Sequence, residues 1–425
     1  MAVSTSRHRG SEGGRRPPGG RNFGLLLAAT LGTFANYAPM LSVVPLWSAD
    51  GGASHSGVGA ATGVTMGTTV AIQLCMRWLL RRFTLRAILA TGALVLGVPT
   101  FGYLFSSELA WVLTVSAVRG VGFGMVAVAG SALVAEMVPA GQRGRAVGWY
   151  GIAVGLPQMV LLPLAVWTTQ QLGFAAVFVA AALASLAAVP LTTMMTTPRA
   201  EPAQRHRSSA ATSLSADSSD SADSSEISGM STTSGIATVV SSRVLTAPWL
   251  LLITTACALG GVTSFLPLAL GNPTTASIVL LVLTAMSILG RWLAGVYSDR
   301  TTSGRLLAPG VASCALGMAG MAVATGMSSG TAALAVAAAA VFGLGFGAVQ
   351  NDTLVVMFRR VGPTGHGTAS TAWNMAYDAG IGIGSLTVGL LALGSTLPKA
   401  LLATAVPILA TLPCAWLTNQ REKSF

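Results

Sequence analysis

The chain has 425 residues, of which 52% are hydrophobic and only 9% are charged, and its mean hydropathy is +0.68. A soluble domain typically carries about 25% charged residues, so this composition excludes a soluble globular fold and predicts a protein surrounded by lipid. The formal net charge is +11. The basic residues are spread between apolar runs instead of forming a patch, which excludes a nucleic-acid-binding domain and suits the inner face of a membrane.

Residues 1–21 are rich in Gly, Arg and Pro and are predicted to form a disordered cytoplasmic tail. The apolar run that follows is too long for a signal peptide and has no cleavage site. Each cysteine lies in or beside a different apolar segment, without the spacing of a metal site. We therefore expect small buried side chains, with no bound metal and no disulfide framework. The cysteines are Cys75, Cys257, Cys314 and Cys414.

A membrane-spanning helix needs about 20 apolar residues, and twelve such segments follow along the chain. We predict spans at 23–46, 57–79, 87–105, 110–135, 146–168, 173–195, 247–271, 276–297, 306–326, 331–357, 368–394 and 400–418. The longest interruption, 196–246, is rich in Ser and lacks apolar periodicity, so we predict a disordered cytoplasmic linker. The predicted organisation is a tail (1–21), a six-helix bundle (22–195), the linker (196–246), a second six-helix bundle (247–418) and a cytoplasmic tail (419–425).

The distribution of basic residues predicts the orientation. If the N-terminus lies inside, all but two of the 24 Lys and Arg residues fall in the two tails, the linker or the inner loops. The two exceptions are Lys399, on the outer side, and Arg119, within a span. This is a strong positive-inside signal. It predicts a multi-pass protein of the inner (cytoplasmic) membrane with both termini in the cytoplasm.

An internal repeat relates the two halves. Gly120-Val121-Gly122-Phe123-Gly124 in span four matches Gly343-Leu344-Gly345-Phe346-Gly347 in span ten. Arg77-Trp78-Leu79, ending span two, matches Arg291-Trp292-Leu293, ending span eight. Since each half has six spans, both halves start on the same side and are predicted to be parallel repeats about an axis along the membrane normal. The predicted fold class is an all-α membrane protein of twelve transmembrane helices in two pseudo-symmetric six-helix bundles.

Three ionisable residues are clear cases of a charge inside a predicted span, whereas Arg77 and Arg291, toward the ends of spans two and eight, are counted with the inner loops. The three clear cases are Arg119 in span four, Asp352 in span ten and Asp378 in span eleven. Each costs roughly 2.5–3.5 kcal/mol on insertion scales, and such groups usually face a cavity and serve a function. Uncharged polar residues accompany them and are further candidates for solute binding or proton coupling: Asn36, Tyr37, Gln158, Gln350, Asn351, Asn374 and Tyr377. The four histidines all lie in tails or loops and are poor candidates for a proton relay.

Each charged candidate also has a structural interpretation. Arg119 either binds solute or assists proton coupling, or it is a structural pin between spans. Asp378 either exchanges a proton or is permanently paired with a donor such as Asn374, four residues earlier on the same helix face. Asp352 is either a second proton site or an ion-pair partner of Arg359 or Arg360 at the inner gate.

These features resemble the major facilitator superfamily over essentially the whole folded chain. The stretch from Arg119 to Val166 is similar to the span-four and span-five signature of drug/proton antiporters, with an acid-Pro loop (Glu136, Pro139) followed by Arg143-Gly144-Arg145-Ala146. The loop after span eight resembles the superfamily's Gly-x-x-x-Asp-Arg loop, with Gly295, Asp299, Arg300, Gly304 and Arg305. The drug/proton antiporter and sugar-efflux-like branch is the closest resemblance. It implies that spans one, four, seven and ten line a central cavity, with two, five, eight and eleven beside it.

The expected function is secondary active transport of a small organic solute by alternating access, most simply as proton-coupled efflux. Asp378 or Asp352 is expected to bind and release the proton. The charged residues near the inner surface are expected to form a cytoplasmic gate or contact lipid headgroups: Arg81, Arg82, Glu136, Arg143, Asp299, Arg300 and Arg305.

The alternatives to proton-coupled efflux are an uptake symporter or facilitator of a sugar or organic anion, with Arg119 holding the negative group, and a non-transporting membrane receptor. No nucleophile–base pair or phosphate loop indicates an enzyme. The expected partners are the solute, protons and the lipid bilayer, with no cofactor, no nucleic acid and a monomeric state.

Overall fold

A computed structural model describes residues 20–138, 143–196, 245–300, 304–327, 331–361 and 366–422. Residues 1–19, and with them most of the predicted tail, lie outside the described residues, as does nearly all of the predicted linker. The described chain is all helical, and ten of its helical runs are long and apolar enough to cross a membrane. Two further spans complete the predicted twelve. One arises because the single run Gly148–Thr193 contains two spans, and the other is the helix His366–Leu391.

In the first half the helices follow the predicted spans closely. The bounds are α1 Gly20–Asp50, α2 His55–Arg82, α3 Leu85–Gly97 with a 3₁₀ extension Val98–Leu104, α4 Leu109–Met137, and a run Arg143–Thr193 that contains α5 and α6. Ser54 and Thr84 cap α2 and α3, because the side-chain oxygen of each accepts a hydrogen bond from a backbone N–H of the first turn.

A single glycine separates α5 from α6. Gly173 has φ 80° and ψ 167°, a backbone conformation that only glycine adopts without strain. Trp47, near the end of α1, packs against Phe174 with ring centroids 5.0 Å apart, whereas Asn22, at the start of α1, donates a hydrogen bond to the Thr196 carbonyl oxygen. The part after Gly173, α6, therefore runs back antiparallel to α1.

The second half repeats the pattern. Its helices are α7 Thr246–Leu270, α8 Pro273–Arg300, α9 Leu307–Gly326, α10 Thr331–Val361 and α11 His366–Leu391. The predicted last span, which we call α12, consists of three short helices, Leu397–Ala403, Ala405–Ala410 and Leu412–Glu422. Pro407 and Pro413 each lack a backbone N–H, which accounts for the interrupted hydrogen-bond ladder.

The glycine triplets of the internal repeat occupy equivalent packing sites. A Cβ atom at the first or third glycine of the α4 triplet would overlap α2, and one at the middle glycine would overlap α3. In α10 the first and third glycines meet α8 and the middle one meets α9. The residues met are Thr65, Ile72 and Leu96 in the first half and Leu283, Ser287 and Gly310 in the second. Small residues at these positions let the helix backbones approach closely, so the sequence match corresponds to one packing arrangement built twice.

Contacts between the two bundles are concentrated toward one end of the molecule. We call the end that carries the α1–α2 turn the sealed end, and the end where α1 begins the termini end. Near the sealed end, Ser42 Oγ donates to the Thr263 carbonyl oxygen over 2.9 Å, and Thr62 and Ser264 share a hydrogen bond of 3.1 Å. Gly59 packs directly against the Ser385 carbonyl. In the described chain, no side-chain hydrogen bond joins the bundles closer to the termini end than the one between Gln73 and Asp378.

Candidate functional site

Asp378 lies between the two bundles. It sits midway along α11, 12 residues after His366 and 13 before Leu391, and is 5% exposed. Gln73 of α2 donates a hydrogen bond of 2.8 Å from Nε2 to Asp378 Oδ2. The donor expected from the sequence, Asn374, instead donates to the carbonyl oxygen of Ser370 in its own helix over 2.9 Å. The partner of Asp378 is therefore in the opposite bundle, and the other side-chain atom of Gln73, Oε1, is buried without a hydrogen-bond partner.

A tyrosine from each bundle lies near this carboxyl group. Tyr37 of α1 stacks on Phe123 of α4 with ring centroids 3.6 Å apart. On the opposite side, Tyr377 stacks on Trp373 at 5.7 Å. The hydroxyl of Tyr37 lies close enough to Asp378, Tyr377 and Arg119 to interact with them electrostatically. The candidate residues of α1, α4 and α11 thus converge on one central region.

Arg119 is held by uncharged partners. Its Nε donates to Thr100 Oγ1 over 2.9 Å, one terminal nitrogen donates to Asn36 Oδ1 over 2.8 Å, and the other donates to the Tyr103 hydroxyl over 3.3 Å. Asn36 completes the cluster by donating from Nδ2 to Thr100 Oγ1 over 3.0 Å. Arg119 is only 2% exposed, and in the described part of the chain no carboxylate forms an ion pair with it. This geometry pins α4 to α1 and α3.

A narrow, partly open cleft lies beside Arg119 on its sealed-end side. Besides Arg119, its walls are mainly apolar side chains of α1 and α2, with Tyr37, Thr62 and Thr65 as polar members. Arg119 has five N–H donors, and the three hydrogen bonds above leave at least one terminal N–H without a described acceptor. The cleft is a candidate position for ordered water or for a small polar group.

Arg291 also reaches the central region, which corrects the sequence interpretation of it as a loop residue. It lies within α8, nine residues before the helix ends at Arg300, so about 13–14 Å inside that end. Its guanidinium carbon is 5.8 Å from the ring centroid of Trp373 in α11, and it interacts electrostatically with Tyr377. The side chain is nevertheless exposed, and no hydrogen bond to another described residue is found for it.

Asp352 fastens the connection between α8 and α9. It is 1% exposed, and its carboxylate accepts hydrogen bonds from Ser298 Oγ over 3.1 Å, from the Leu306 backbone N–H over 3.1 Å and from Asn351 Nδ2 over 3.4 Å. These donors lie at the end of α8, just before α9 and on α10 itself. The carboxylate ties three elements together toward the termini end.

The remaining candidates are distributed as follows. Gln158 of α5 is half-buried and Gln350 of α10 is buried, and within the described residues neither side chain has a hydrogen-bond partner. Of the expected gate residues, four are exposed at or near helix ends: Arg81, Arg82, Glu136 and Arg305. The guanidinium of Arg82 lies 5.6 Å from the ring of Trp78. The side chains of Arg143, Asp299 and Arg300 lie outside the described part of the structure.

The sequence reasoning missed four residues of this region: Gln73, Thr100, Tyr103 and Arg291. Gln73 could have been included among the candidates from the sequence, because it is a glutamine in a predicted span that flanks the cavity. Thr100 and Tyr103 lie in span three, which was expected to face lipid, yet both are fully buried. Only the packing of α3 against α4 shows that they complete the coordination of Arg119.

Comparisons with known proteins agree with this architecture. The profile of the Major Facilitator Superfamily matches residues 25–385. A crystal structure of a mutant of the nucleoside transporter NupG superposes with a TM-score of 0.70 at 12% identity, covering 93% of this chain and 99% of that chain. A POT family transporter in complex with a thioalcohol-conjugated peptide gives 0.70 at 10% identity, covering 95% and 96%.

At such low identity these two likenesses show the fold alone. No curated protein matches the chain significantly. Among the described residues, no group of three or more His, Cys, Asp or Glu side chains is arranged to hold a metal ion. The family match extends over most of the chain and joins both bundles, and the protein is a membrane transporter, not an enzyme, that belongs to the Major Facilitator Superfamily.

Proposed function

We propose that the protein couples the export of a small organic solute to proton entry across the cytoplasmic membrane. The observation that carries this proposal is the buried carboxyl group of Asp378, held by Gln73 across the interface between the bundles. An ionisable residue in the middle of a membrane-spanning helix is costly and usually functional. Its position between two bodies that move relative to each other is suited to coupling.

The coupling follows from differential contacts. With the sealed end closed, Asp378 accepts a hydrogen bond from α2. When the bundles rock in the alternating-access cycle, α2 and α11 separate along this line, and the carboxyl group exchanges Gln73 for water on the other side. Protonation therefore changes the relative free energies of the two states, because the hydrogen bond from Gln73 is weaker to a neutral carboxyl group than to a carboxylate. Solute and proton then share one conformational change.

The direction of transport is proposed from the resemblance of α4 and α5 to the drug/proton antiporter signature. The alternative of a symporter that holds an organic anion on Arg119 is less favoured, because three uncharged partners already occupy that guanidinium. A receptor without transport is also less favoured, since two equivalent bundles meeting along α2 and α11 suit a rocking motion.

Orientation is proposed from charge. Arg81, Arg82 and Arg305 are exposed at the termini end, which supports placing this end in the cytoplasm. The two six-helix bundles are proposed to fold as the units 22–195 and 247–418, with 196–246 as a disordered cytoplasmic linker, and the protein to act as a monomer with protons and the solute as its partners. The sealed end then faces outward.

The test is transport by purified protein in liposomes that contain a pH-sensitive dye. A panel of sugars, sugar acids, nucleosides, dipeptides and benzoate is screened for proton movement driven by solute and for exchange of labelled solute. We expect Asp378→Asn to abolish the proton signal and gradient-driven transport but to keep energy-independent exchange. Asp352→Asn is the matched control, because its carboxylate is tied to the α8–α9 connection, and it should change both activities less. Full gradient-driven transport in Asp378→Asn would refute the proposal.

A further inference from the structure

The two arginines of the central region differ in how their guanidinium groups are satisfied. Arg119 donates three hydrogen bonds to Thr100, Asn36 and Tyr103 and is almost completely buried. Arg291 is exposed, and its one described close contact through the guanidinium is with the ring of Trp373. The protein itself supplies three acceptors to the Arg119 guanidinium, whereas no described acceptor binds the Arg291 guanidinium, which is presented to whatever enters the space between the bundles.

The surroundings fix the Arg291 backbone and the ring that its side chain contacts. The α10 backbone at Gly347 approaches the Arg291 backbone so closely that a Cβ atom at Gly347 would lie 2.6 Å from the Arg291 nitrogen. With α10 this close, the long side chain passes it and reaches α11. There Trp373 is itself fixed, because its Nε1 donates to Thr353 Oγ1 over 3.2 Å and its ring stacks on Tyr377 with an angle of 9° between the planes.

A guanidinium with free donors is a binding group for oxyanions. Arg has five N–H donors in a planar fork that matches carboxylate and phosphate oxygens in pairs. A charge placed 13–14 Å inside a helix end costs free energy unless a partner or water compensates it. No described carboxylate forms an ion pair with Arg291, and the nearest acidic residue of α11, Asp378, is hydrogen-bonded to Gln73.

We propose that Arg291 binds the oxyanion of the transported solute, a carboxylate or a phosphate ester, and that Trp373 and Tyr377 form the adjoining wall of the binding site. The inference rests on the proposed function and names its substrate class as an organic anion. It places the anion on α8 and α11 of the second bundle, whereas the sequence alone pointed to Arg119 in the first. Bidentate hydrogen bonds to a charged group are worth enough to make binding roughly tenfold to hundredfold tighter than for a neutral analogue.

The first experiment compares matched ligands on the purified full-length protein. Benzoate, phenyl phosphate and benzamide form one series, and gluconate, glucose 6-phosphate and glucose form the other. Thermal stabilisation is measured as a function of concentration. We expect at least one oxyanion series to bind at least about tenfold more tightly than its neutral member, and the carboxylate and phosphate arms to show which oxyanion is preferred. No preference for any oxyanion over its neutral member would overturn the inference.

The second experiment locates the site. Arg291→Gln should lose the preference, whereas the control Arg82→Gln should keep it, because Arg82 makes the same kind of ring contact, with Trp78 at 5.6 Å, but at the end of α2. If Arg291→Gln does not fold, the wild-type protein is treated with phenylglyoxal, and modification of each arginine is followed by mass spectrometry. The oxyanion that binds most tightly in the first experiment should slow modification of Arg291 and leave Arg82 unaffected. Equal modification rates with and without oxyanion would overturn the inference.

Failure of this inference can be told from failure of the proposed function. If Arg291→Gln transports a neutral solute with proton movement that depends on Asp378, proton-coupled transport stands and the anion site does not. If oxyanions bind at Arg291 but Asp378→Asn leaves proton movement intact, the binding site stands and the coupling proposal does not.

Discussion

Replacing Gln73 by Leu removes the hydrogen bond that joins α2 to Asp378 while keeping a side chain of similar size. A hydrogen bond to a charged group contributes about 1.5–3 kcal/mol, and each 1.4 kcal/mol is a factor of ten in an equilibrium constant. The bond exists only while α2 and α11 are in contact. We therefore expect Gln73→Leu to shift the equilibrium away from the sealed conformation by roughly 10- to 150-fold.

The assay follows the opening of the sealed end directly. Ala61 is fully buried in α2, and Ala61→Cys is introduced into a protein whose four native cysteines have been replaced. A membrane-impermeant maleimide is added from outside, and the labelling rate reports the population of the open form. Gln158→Leu is the matched control, since it is the same substitution on a glutamine without a described hydrogen-bond partner. If Gln73→Leu is labelled no faster than Gln158→Leu, the bond does not stabilise the sealed state and the reasoning is wrong.

Three further perturbations test other parts of the structure. Gly59→Val should open the sealed end, because its Cβ would overlap the Ser385 carbonyl oxygen, whereas Gly67→Val in the same helix has open space around it; the maleimide assay should show faster labelling in the first variant alone. Arg119→Leu should lower the free energy of unfolding by roughly 2–5 kcal/mol, since three interhelical hydrogen bonds are lost, and a thermal melt in detergent that matches the wild type would remove the pin interpretation. Deleting residues 205–235 should leave folding and transport nearly intact, and a protein that no longer inserts into the membrane would show that the linker was misjudged.

The helix count and the relation between the halves were predictable from the sequence. Apolar runs of about 20 residues are governed by the bilayer alone, and each predicted span corresponds to an observed helix or, at Gly173, to one part of a helical run. The glycine triplets were predictable for a related reason. Close approach of two backbones leaves no room for a Cβ atom, so glycine residues in the sequence directly indicate where two helices pack closely.

Polar partners were less predictable, because a hydrogen bond depends on which helices become neighbours. Asn374 was a reasonable donor for Asp378 by helical spacing, yet it bonds to Ser370, and the actual donor is 305 residues away in the sequence. Arg291 was assigned to a loop because arginines usually mark the inner ends of spans. It nevertheless falls within the predicted span 276–297, and α8 continues to Arg300, which places Arg291 nine residues inside the helix end.

The reversal at Gly173 also constrains how the chain is inserted into the membrane during synthesis. The run Gly148–Thr193 contains 46 residues without a separate loop, and as one straight helix it would measure about 69 Å, more than twice the thickness of the hydrocarbon layer. We expect α5 and α6 to enter the bilayer together as a preformed hairpin. The topology of all later helices then depends on one residue without a side chain, because a straight passage at Gly173 would invert the entire second bundle.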